Sequence, residues 1–207
     1  MEYQFNVRRI LSYVRRAVDD YEMINDGDKI AVGLSGGKDS LALVCALGAL
    51  KRFYPKKFEL HVISMDPGFY NAGFGDKDET KAAYEKLHDL CTQVGAEFHY
   101  FETDIAKIIF DIRKEKNPCS LCARMRRGHL YNEAKKLGCN KIALGHHYSD
   151  VIETTVMGML YGAQLQAMLP KLRSQNFEGM ELIRPLYCVH EDDIIAWRDA
   201  NELTFLQ

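Results

Sequence analysis

The sequence has almost no excess of charge of either sign. Its 27 lysines and arginines nearly balance 29 aspartates and glutamates, which leaves a formal net charge of −2. A nucleic-acid-binding domain is usually strongly basic, so any such binding must use local basic patches. The sequence also lacks an apolar run near the ~20 residues of a membrane-spanning helix, and its first residues lack the basic-then-apolar plan of a signal peptide. These absences predict a cytoplasmic protein without a membrane partner, whose cysteines do not form structural disulfides.

What the sequence does contain is enough apolar surface for one folded core, since 47% of its 207 residues are hydrophobic. Strand-like runs alternate with helical periodicity, which implies right-handed crossovers and an open parallel sheet with helices on both faces. We therefore predict one α/β domain over 1–207, with an N-terminal amphipathic helix (1–25), a nucleotide-binding core (29–165) and a C-terminal strand and helix (180–207). The predicted strands are 29–34, 58–64, 96–101, 141–145 and 182–186, and the predicted helices include 5–21, 78–94, 104–116, 150–161 and 191–201.

A glycine-rich segment between the first strand and the next helix is typical of a phosphate-binding loop. It reads Ser35, Gly36, Gly37, Lys38, Asp39 and Ser40. Glycine lets the backbone come close to an anion, and the free amides of a helix N-terminus then bind it. The common P-loop pattern does not fit, because Val32 stands in place of its first glycine and Asp39 in place of its serine or threonine.

Three further features are candidate binding or catalytic elements. Asp66 ends the second predicted strand, on the sheet edge where ligands bind in α/β folds, although it could equally cap the next turn. Arg8, Arg9, Arg15 and Arg16 lie off the apolar stripe of the first helix, where they form either a solvated face or a contact for RNA phosphates. Cys119 and Cys122 have the C-x-x-C spacing of a redox dithiol, part of a zinc site or part of an iron–sulfur site.

The Ser-Gly-Gly-x-Asp-Ser motif resembles that of the PP-loop ATP pyrophosphatases, which cleave ATP between the α- and β-phosphates and transfer AMP to a carbonyl oxygen. Cys-Ser-Leu-Cys-Ala-Arg-Met-Arg-Arg-Gly at 119–128, Gly-His-His at 145–147 and Ile-Arg-Pro-Leu at 183–186 narrow the resemblance to the tRNA-cytidine sulfurtransferase family. That resemblance covers nearly the whole chain and implies a Rossmann-like fold of the adenine nucleotide α-hydrolase type.

The resemblance also implies roles for particular residues. The loop from Ser35 to Ser40 would bind the ATP phosphates, and Lys38 and Asp39 would take part in catalysis. Cys119 and Cys122 would ligate a 4Fe-4S cluster together with a later cysteine, and they would serve in catalysis through it. The remaining ATP-site candidates are Asp66, Arg124, Arg127, Gly145, His146 and Asp150, with Mg2+ held by Asp39 or Asp150. The implied partners are tRNA, a sulfur donor such as a cysteine desulfurase, and a second copy of the chain.

Two departures from the family pattern limit these inferences. The family reads Gly-His-His-x-Asp-Asp, whereas this chain has Ser149 before Asp150, so one carboxylate is missing. The third cluster cysteine is expected beyond Gln207, so we expect the sequence to be truncated there. Two alternatives stay open. One is a tRNA ligase of the same superfamily that forms lysidine, but it would leave the cysteine pair without a role. The other is a nucleotide-binding module without catalysis, which the missing carboxylate and the missing third cysteine favour.

Overall fold

A computed structural model describes residues 7–113, 117–162, 167–175 and 177–203. The helices are α1 (Arg8–Asp20), α2 (Lys38–Lys51), α3 (Lys77–Gln93), α4 (Ile105–Lys107), α5 (Pro118–Lys136), α6 (Tyr148–Gly162) and α7 (Glu191–Ala200). The strands are β1 (Asp28–Gly33), β2 (Phe58–Asp66), β3 (Glu97–Glu102), β4 (Lys141–Ala143), β5 (Lys171–Arg173) and β6 (Glu181–Ile183). Across these described ranges, no helix has both the length and the apolar character needed to cross a membrane.

The strands form one sheet in the order β3-β2-β1-β4-β6-β5. Neighbouring strands run parallel from β3 to β6, which confirms the predicted α/β class and its parallel sheet. The exception is β5, which pairs antiparallel with β6 and was not predicted. The segment Lys171–Arg173 has a single apolar residue, Leu172, so its pairing with β6 rather than its own sequence makes it a strand.

Apolar side chains cover both faces of the sheet. One cluster joins β1 and β2 to α1, α2 and α7, and includes Ile10, Val14, Leu43 and Trp197. The amphipathic stripe predicted for the first helix is the face that packs here, while α2 is buried nearly all round because α1 and α7 both lie against it. A second cluster lies under α5 on the opposite face. Helices therefore cover both faces, as the sequence predicts.

Several element boundaries differ from the predicted ones. The helix predicted over 104–116 is a single α-turn that continues as a π-helix over Ile108–Ile112; residues 114–116 lie outside the described residues. The strand predicted over 182–186 ends at Ile183, because Pro185 cannot donate a strand hydrogen bond and the next residues form a turn. A 3-10 helix, Phe69–Ala72, lies in the predicted loop after β2.

A buried lysine connects three central strands. The Lys141 ammonium lies 3.2 Å from an Asp28 carboxylate oxygen and 2.8 Å from one of Glu181, and the lysine is 1% exposed. Asp28 is in β1, Lys141 in β4 and Glu181 in β6. Because an unpaired charge is costly in the interior, the two carboxylates make this burial tolerable.

Candidate active site

The phosphate-binding motif forms a turn that leads directly from β1 into α2. Gly36 has φ 81°, a backbone conformation that favours glycine. The Ser40 hydroxyl donates to the Gly37 carbonyl at 2.9 Å and accepts from the Ser35 backbone N–H at 3.3 Å. Gly37 is the N-cap of α2 and supplies no capping side chain. The first amides of α2 are therefore available to an anion in front of the loop.

Lys38 stands beside this loop between two carboxylates. Its ammonium lies 3.1 Å from Asp39 Oδ1 and 3.0 Å from Glu191 Oε1. Burial alone would lower the pKa of Lys38, but the hydrogen bonds and charges of Glu191 and Asp39 raise it, so the side chain is a permanent cation. Lys38 in turn holds the pKa of Glu191 below its usual range. A phosphate group entering the loop would compete with both carboxylates for this ammonium.

The segment after β4 packs against the N-terminus of α2. A Cβ at Gly145 would lie 3.3 Å from the Asp39 carbonyl carbon and 3.4 Å from the Ser40 nitrogen. The neighbouring His147 is buried, with Nε2 3.8 Å from Asp39 Oδ1 and Nδ1 3.5 Å from Asp150 Oδ2. Asp150 also accepts from the His147 backbone N–H at 2.8 Å. Gly145 therefore lies directly against the phosphate-binding loop, and Asp150 is connected to the loop through His147.

A cavity of 450 Å³ opens beside the loop, between the carboxyl ends of the central strands and α5. His146 lines it, and its Nδ1 is buried without a hydrogen-bond partner among the described residues. Burial and the nearby positive charge of Arg184 lower the pKa of His146, so the ring is neutral near pH 7. The other lining residues are Gly33, Leu34, Ser35, Ile63, Met65, Arg126, Arg127, Leu130, Tyr131, Leu144, Met168, Leu182 and Arg184.

Two arginines, Arg124 and Arg127, were predicted near the nucleotide, and the structure separates them. Arg127 lines the cavity, whereas Arg124 is exposed and does not line it. Arg126 lines the cavity too but was not predicted, although it stands in the same motif. The largest omission is Arg184, which is buried with its Nε unpartnered among the described residues and its Nη1 donating to the Leu169 carbonyl. Arg184 belongs to the Ile-Arg-Pro-Leu motif, and this motif could have identified it as a site residue from the sequence.

Asp66 ends β2, but its carboxylate is engaged in local bonds. Oδ1 accepts from the Gly68 backbone N–H at 2.7 Å and Oδ2 accepts from the Tyr100 hydroxyl at 3.0 Å. Its backbone carbonyl accepts from Thr103. The geometry matches the turn-capping alternative, and contact of Asp66 with ATP stays a prediction.

The two cysteines of the C-x-x-C pair lie in the first turn of α5. Both are free thiols; Cys119 is exposed and Cys122 is half-buried. Residues three apart lie on the same side of a helix, so both thiols can approach one ligand. Cys45, Cys91 and Cys139 are buried, and Cys188 packs against the core cluster on the α1 side of the sheet. The pair is therefore the accessible thiol site of the described chain.

The arginines of α1 lie on its outer surface, as their spacing predicts. Arg9 Nε lies 2.8 Å from the buried Asp193. Arg15 and Arg16 lie 3.6 Å and 3.4 Å from the carboxylates one turn later. Arg8 is also exposed. Contact of these arginines with RNA stays a prediction.

Asp39 offers the oxygen best suited to a metal ion near the phosphates. Its Oδ1 is buried and, although close to the Lys38 ammonium, accepts no well-directed hydrogen bond from the described residues. Magnesium prefers such carboxylate oxygens. Asp150 lies against the other ring nitrogen of His147 and is bonded to its backbone. Asp39 therefore fits a Mg2+ ligand better than Asp150 does.

Comparisons with known proteins agree with this architecture. A family model described as the PP-loop domain matches residues 8–207. The chain is 41% identical over 207 residues to the tRNA-cytidine(32) 2-sulfurtransferase of Aliivibrio fischeri (strain MJ11), covering 96% of this chain and 63% of that protein. It is 39% identical over 197 residues to the enzyme of that name from Syntrophotalea carbinolica, covering 95% of this chain and 72% of the relative.

Solved structures share the fold at lower identity. The U34-tRNA thiolase NcsA from Methanococcus maripaludis, solved with its [4Fe-4S] cluster, superposes with a TM-score of 0.73 at 24% identity, covering 97% of this chain and 65% of that chain. The NH3-dependent NAD synthetase from Campylobacter jejuni gives a TM-score of 0.51 at 17% identity, covering 98% and 75%. The family model and the curated relatives show that the chain belongs to the PP-loop family and, within it, to the family of the tRNA-cytidine(32) 2-sulfurtransferases.

Proposed function

We propose that this chain activates a cytidine of the tRNA anticodon loop with ATP, so that sulfur can replace the oxygen at its C2. One observation carries the proposal: the phosphate-binding loop lines the same cavity as α5, the helix that carries the cysteine pair. Ser35 lines the cavity from the loop side, and Arg126 lines it from α5. Cys122 precedes Arg126 by one helical turn, roughly 6 Å along the helix axis. A nucleotide-activating site and an accessible thiol pair therefore lie within the reach of one substrate.

The phosphate-binding loop would position ATP for attack at its α-phosphate. The amides of α2 and the Lys38 ammonium would hold the charged oxygens, and Asp39 would hold Mg2+ through its unbonded Oδ1. The cytidine carbonyl oxygen forms a bond to the α-phosphorus while the bond to pyrophosphate breaks. This converts a poor leaving oxygen into AMP, which leaves when sulfur binds C2.

The cavity would hold the nucleoside and the activated base. Apolar side chains such as Leu130 and Leu182 provide a dry surface, and Arg126 and Arg127 line the same cavity, where they would contact phosphates. Neutral His146 keeps an unbonded ring nitrogen for a base or ribose group. Arg184 offers its unbonded Nε in the same cavity. These groups favour a polar, flat ligand over a purely apolar one.

The cysteine pair fits two thiolate ligands of a 4Fe-4S cluster, because both thiols are free and lie in one accessible turn. Such a cluster would present the incoming sulfur on an iron that no protein ligand occupies. Cys119 and Cys122 would hold that group on α5, one helical turn before the residues of this helix that line the cavity.

The partners follow from this chemistry. The substrate would be a tRNA whose target base leaves its stack to enter the cavity, with the exposed arginines of α1 as contacts for its phosphates. A cysteine desulfurase would supply sulfur. We further propose that the chain acts as a homodimer in the cytoplasm.

Pyrophosphate release separates activation from sulfur transfer. Purified protein with ATP, Mg2+ and unmodified tRNA should release pyrophosphate, and a tRNA with uridine in place of the target cytidine should not support the reaction. Lys38→Met should abolish release, whereas Cys119→Ser should leave activation intact and abolish thiolation. Pyrophosphate release that does not depend on tRNA, or equal loss in both variants, would contradict this division of labour.

A further inference from the structure

Two histidines and a glutamate converge on the pair of strands β2 and β3. His61 is in β2, and Glu97 and His99 are in β3. His61 pairs with Glu97 in register, and His99 lies two residues further along the same face. His61 Nδ1 is 3.2 Å from His99 Nε2 and 3.5 Å from Glu97 Oε2, while His99 Nε2 is 3.5 Å from Glu97 Oε1. With one ring nitrogen from each histidine and one oxygen of Glu97, the three potential ligand atoms form a compact triangle in which every pair lies within 4.8 Å.

The triangle is close to the size of one face of a zinc tetrahedron. With bonds of about 2.0–2.1 Å and tetrahedral angles, zinc ligands stand about 3.3–3.4 Å apart. The two ring nitrogens are 3.2 Å apart, and each is 3.5 Å from a different oxygen of Glu97, so a rotation of this exposed carboxylate would bring one oxygen to both. Two imidazoles and one carboxylate are a common ligand set for zinc with an open fourth position. We propose that His61, His99 and Glu97 form a zinc site.

A second carboxylate orients the buried histidine. Glu59 Oε2 lies 3.4 Å from His61 Nε2, the ring nitrogen that faces away from the triangle. If that nitrogen carries the proton and donates to Glu59, His61 Nδ1 is left with a lone pair for a metal. Carboxylate–histidine–metal arrangements of this kind raise the basicity of the ligand and set its orientation. The chain therefore supplies an outer partner for the least exposed ligand.

Exposure and topology show how an ion could enter and which strands it would join. The Glu97 side chain is 66% exposed, so an ion can enter from solvent and a water can occupy the fourth position, whereas the His61 side chain is 7% exposed. β3 is an edge strand of the sheet. A zinc ion would fasten this edge strand to β2 at His61, two residues, or roughly 7 Å, before Ile63, which lines the cavity. None of the three proposed ligands lines that cavity.

Zinc binding can be measured without interference from the cysteine pair. The 207-residue chain with Cys119→Ser and Cys122→Ser is titrated with Zn2+ against a chromophoric chelator. We expect one bound equivalent, and replacement by Co2+ should give the absorption of a four-coordinate ion without a thiolate charge-transfer band. Absence of stoichiometric binding, or a thiolate band, would overturn the proposal.

Variants then distinguish a metal site from a histidine pair that merely shares a proton. Glu97→Gln and His99→Gln should each weaken zinc binding at least about tenfold, and Glu59→Gln should weaken it by about 10- to 100-fold. Glu97→Gln keeps the volume of an exposed side chain, so the protein should still fold. His88→Gln, at an exposed histidine of α3, is the matched control and should bind zinc unchanged. Zinc should raise the unfolding temperature of the control and not that of His99→Gln; equal binding by all variants would refute the site.

Discussion

Replacing Gly145 by alanine tests whether the segment after β4 positions the phosphate-binding loop. The added Cβ would lie 3.3 Å from the Asp39 carbonyl carbon and 3.4 Å from the carbonyl oxygen of Asp39 and the nitrogen of Ser40. Gly145 is not among the glycines with positive φ, so alanine can adopt its backbone conformation. The only cost of the substitution is therefore the close approach to the N-terminus of α2.

The size of the effect follows from that contact. The neighbouring backbone must shift by a few tenths of an ångström, and it carries amides that would bind the phosphates. A hydrogen bond to a charged group contributes about 1.5–3 kcal/mol, so losing part of one or two such bonds costs about 1–2 kcal/mol. We expect Gly145→Ala to weaken ATP binding by roughly 5- to 30-fold, because 1.4 kcal/mol corresponds to a factor of ten.

Equilibrium binding of ATP with Mg2+ and unfolding by urea together check this reasoning. Gly128→Ala is the matched control, because a Cβ there meets no neighbouring atom within 4 Å and the residue lies inside α5. The control should keep its ATP affinity and gain up to about 1 kcal/mol of stability from its better helix propensity. If Gly145→Ala binds ATP as tightly as the control does, the segment after β4 does not position the loop.

Three other perturbations test separate parts of the structure. Lys141→Met should lower the free energy of unfolding by about 3–5 kcal/mol, because it leaves the buried Asp28 carboxylate without its cation, while Glu181 keeps Lys171. Lys136→Met, at an exposed pair, should change it by less than about 1 kcal/mol; urea titration measures both. Glu191→Gln should free Lys38 for phosphate, so ATP should bind as tightly or more tightly in calorimetry, and a tenfold loss would contradict that view. The pKa of His146 is lowered in the folded protein, so below about pH 6.5 the unfolded chain binds more protons than the folded protein does, and the free energy of unfolding decreases. His146→Gln should reduce this decrease when the free energy of unfolding is measured from pH 7 to pH 5.

The sequence predicts the parts of the fold that local pattern controls. The amphipathic stripe of α1 and the glycine-rich turn before α2 are local features, and both lie where predicted. β5 was missed because its pairing with β6 depends on a distant segment. The π-helix over Ile108–Ile112 was missed because helical periodicity alone does not distinguish it from an α-helix.

Site residues were predictable to the degree that a motif marks them. The phosphate-binding loop and Gly145 belong to such motifs. Glu191 was not predicted to contact Lys38, because nothing in either segment indicates that α7 begins beside α2. The His61 group was missed for the same reason, since its ligands come from two strands that only the sheet register brings together.

Analysis of tRNA nucleosides tests the central claim most directly. The gene encoding this chain is deleted from its host, and the digested tRNA is examined by mass spectrometry before and after return of the unchanged gene or of its Cys119→Ser variant. The account predicts that 2-thiocytidine disappears on deletion, returns with the unchanged gene and does not return with the variant. Persistence of 2-thiocytidine in the deletion strain, or its full recovery with Cys119→Ser, would contradict it.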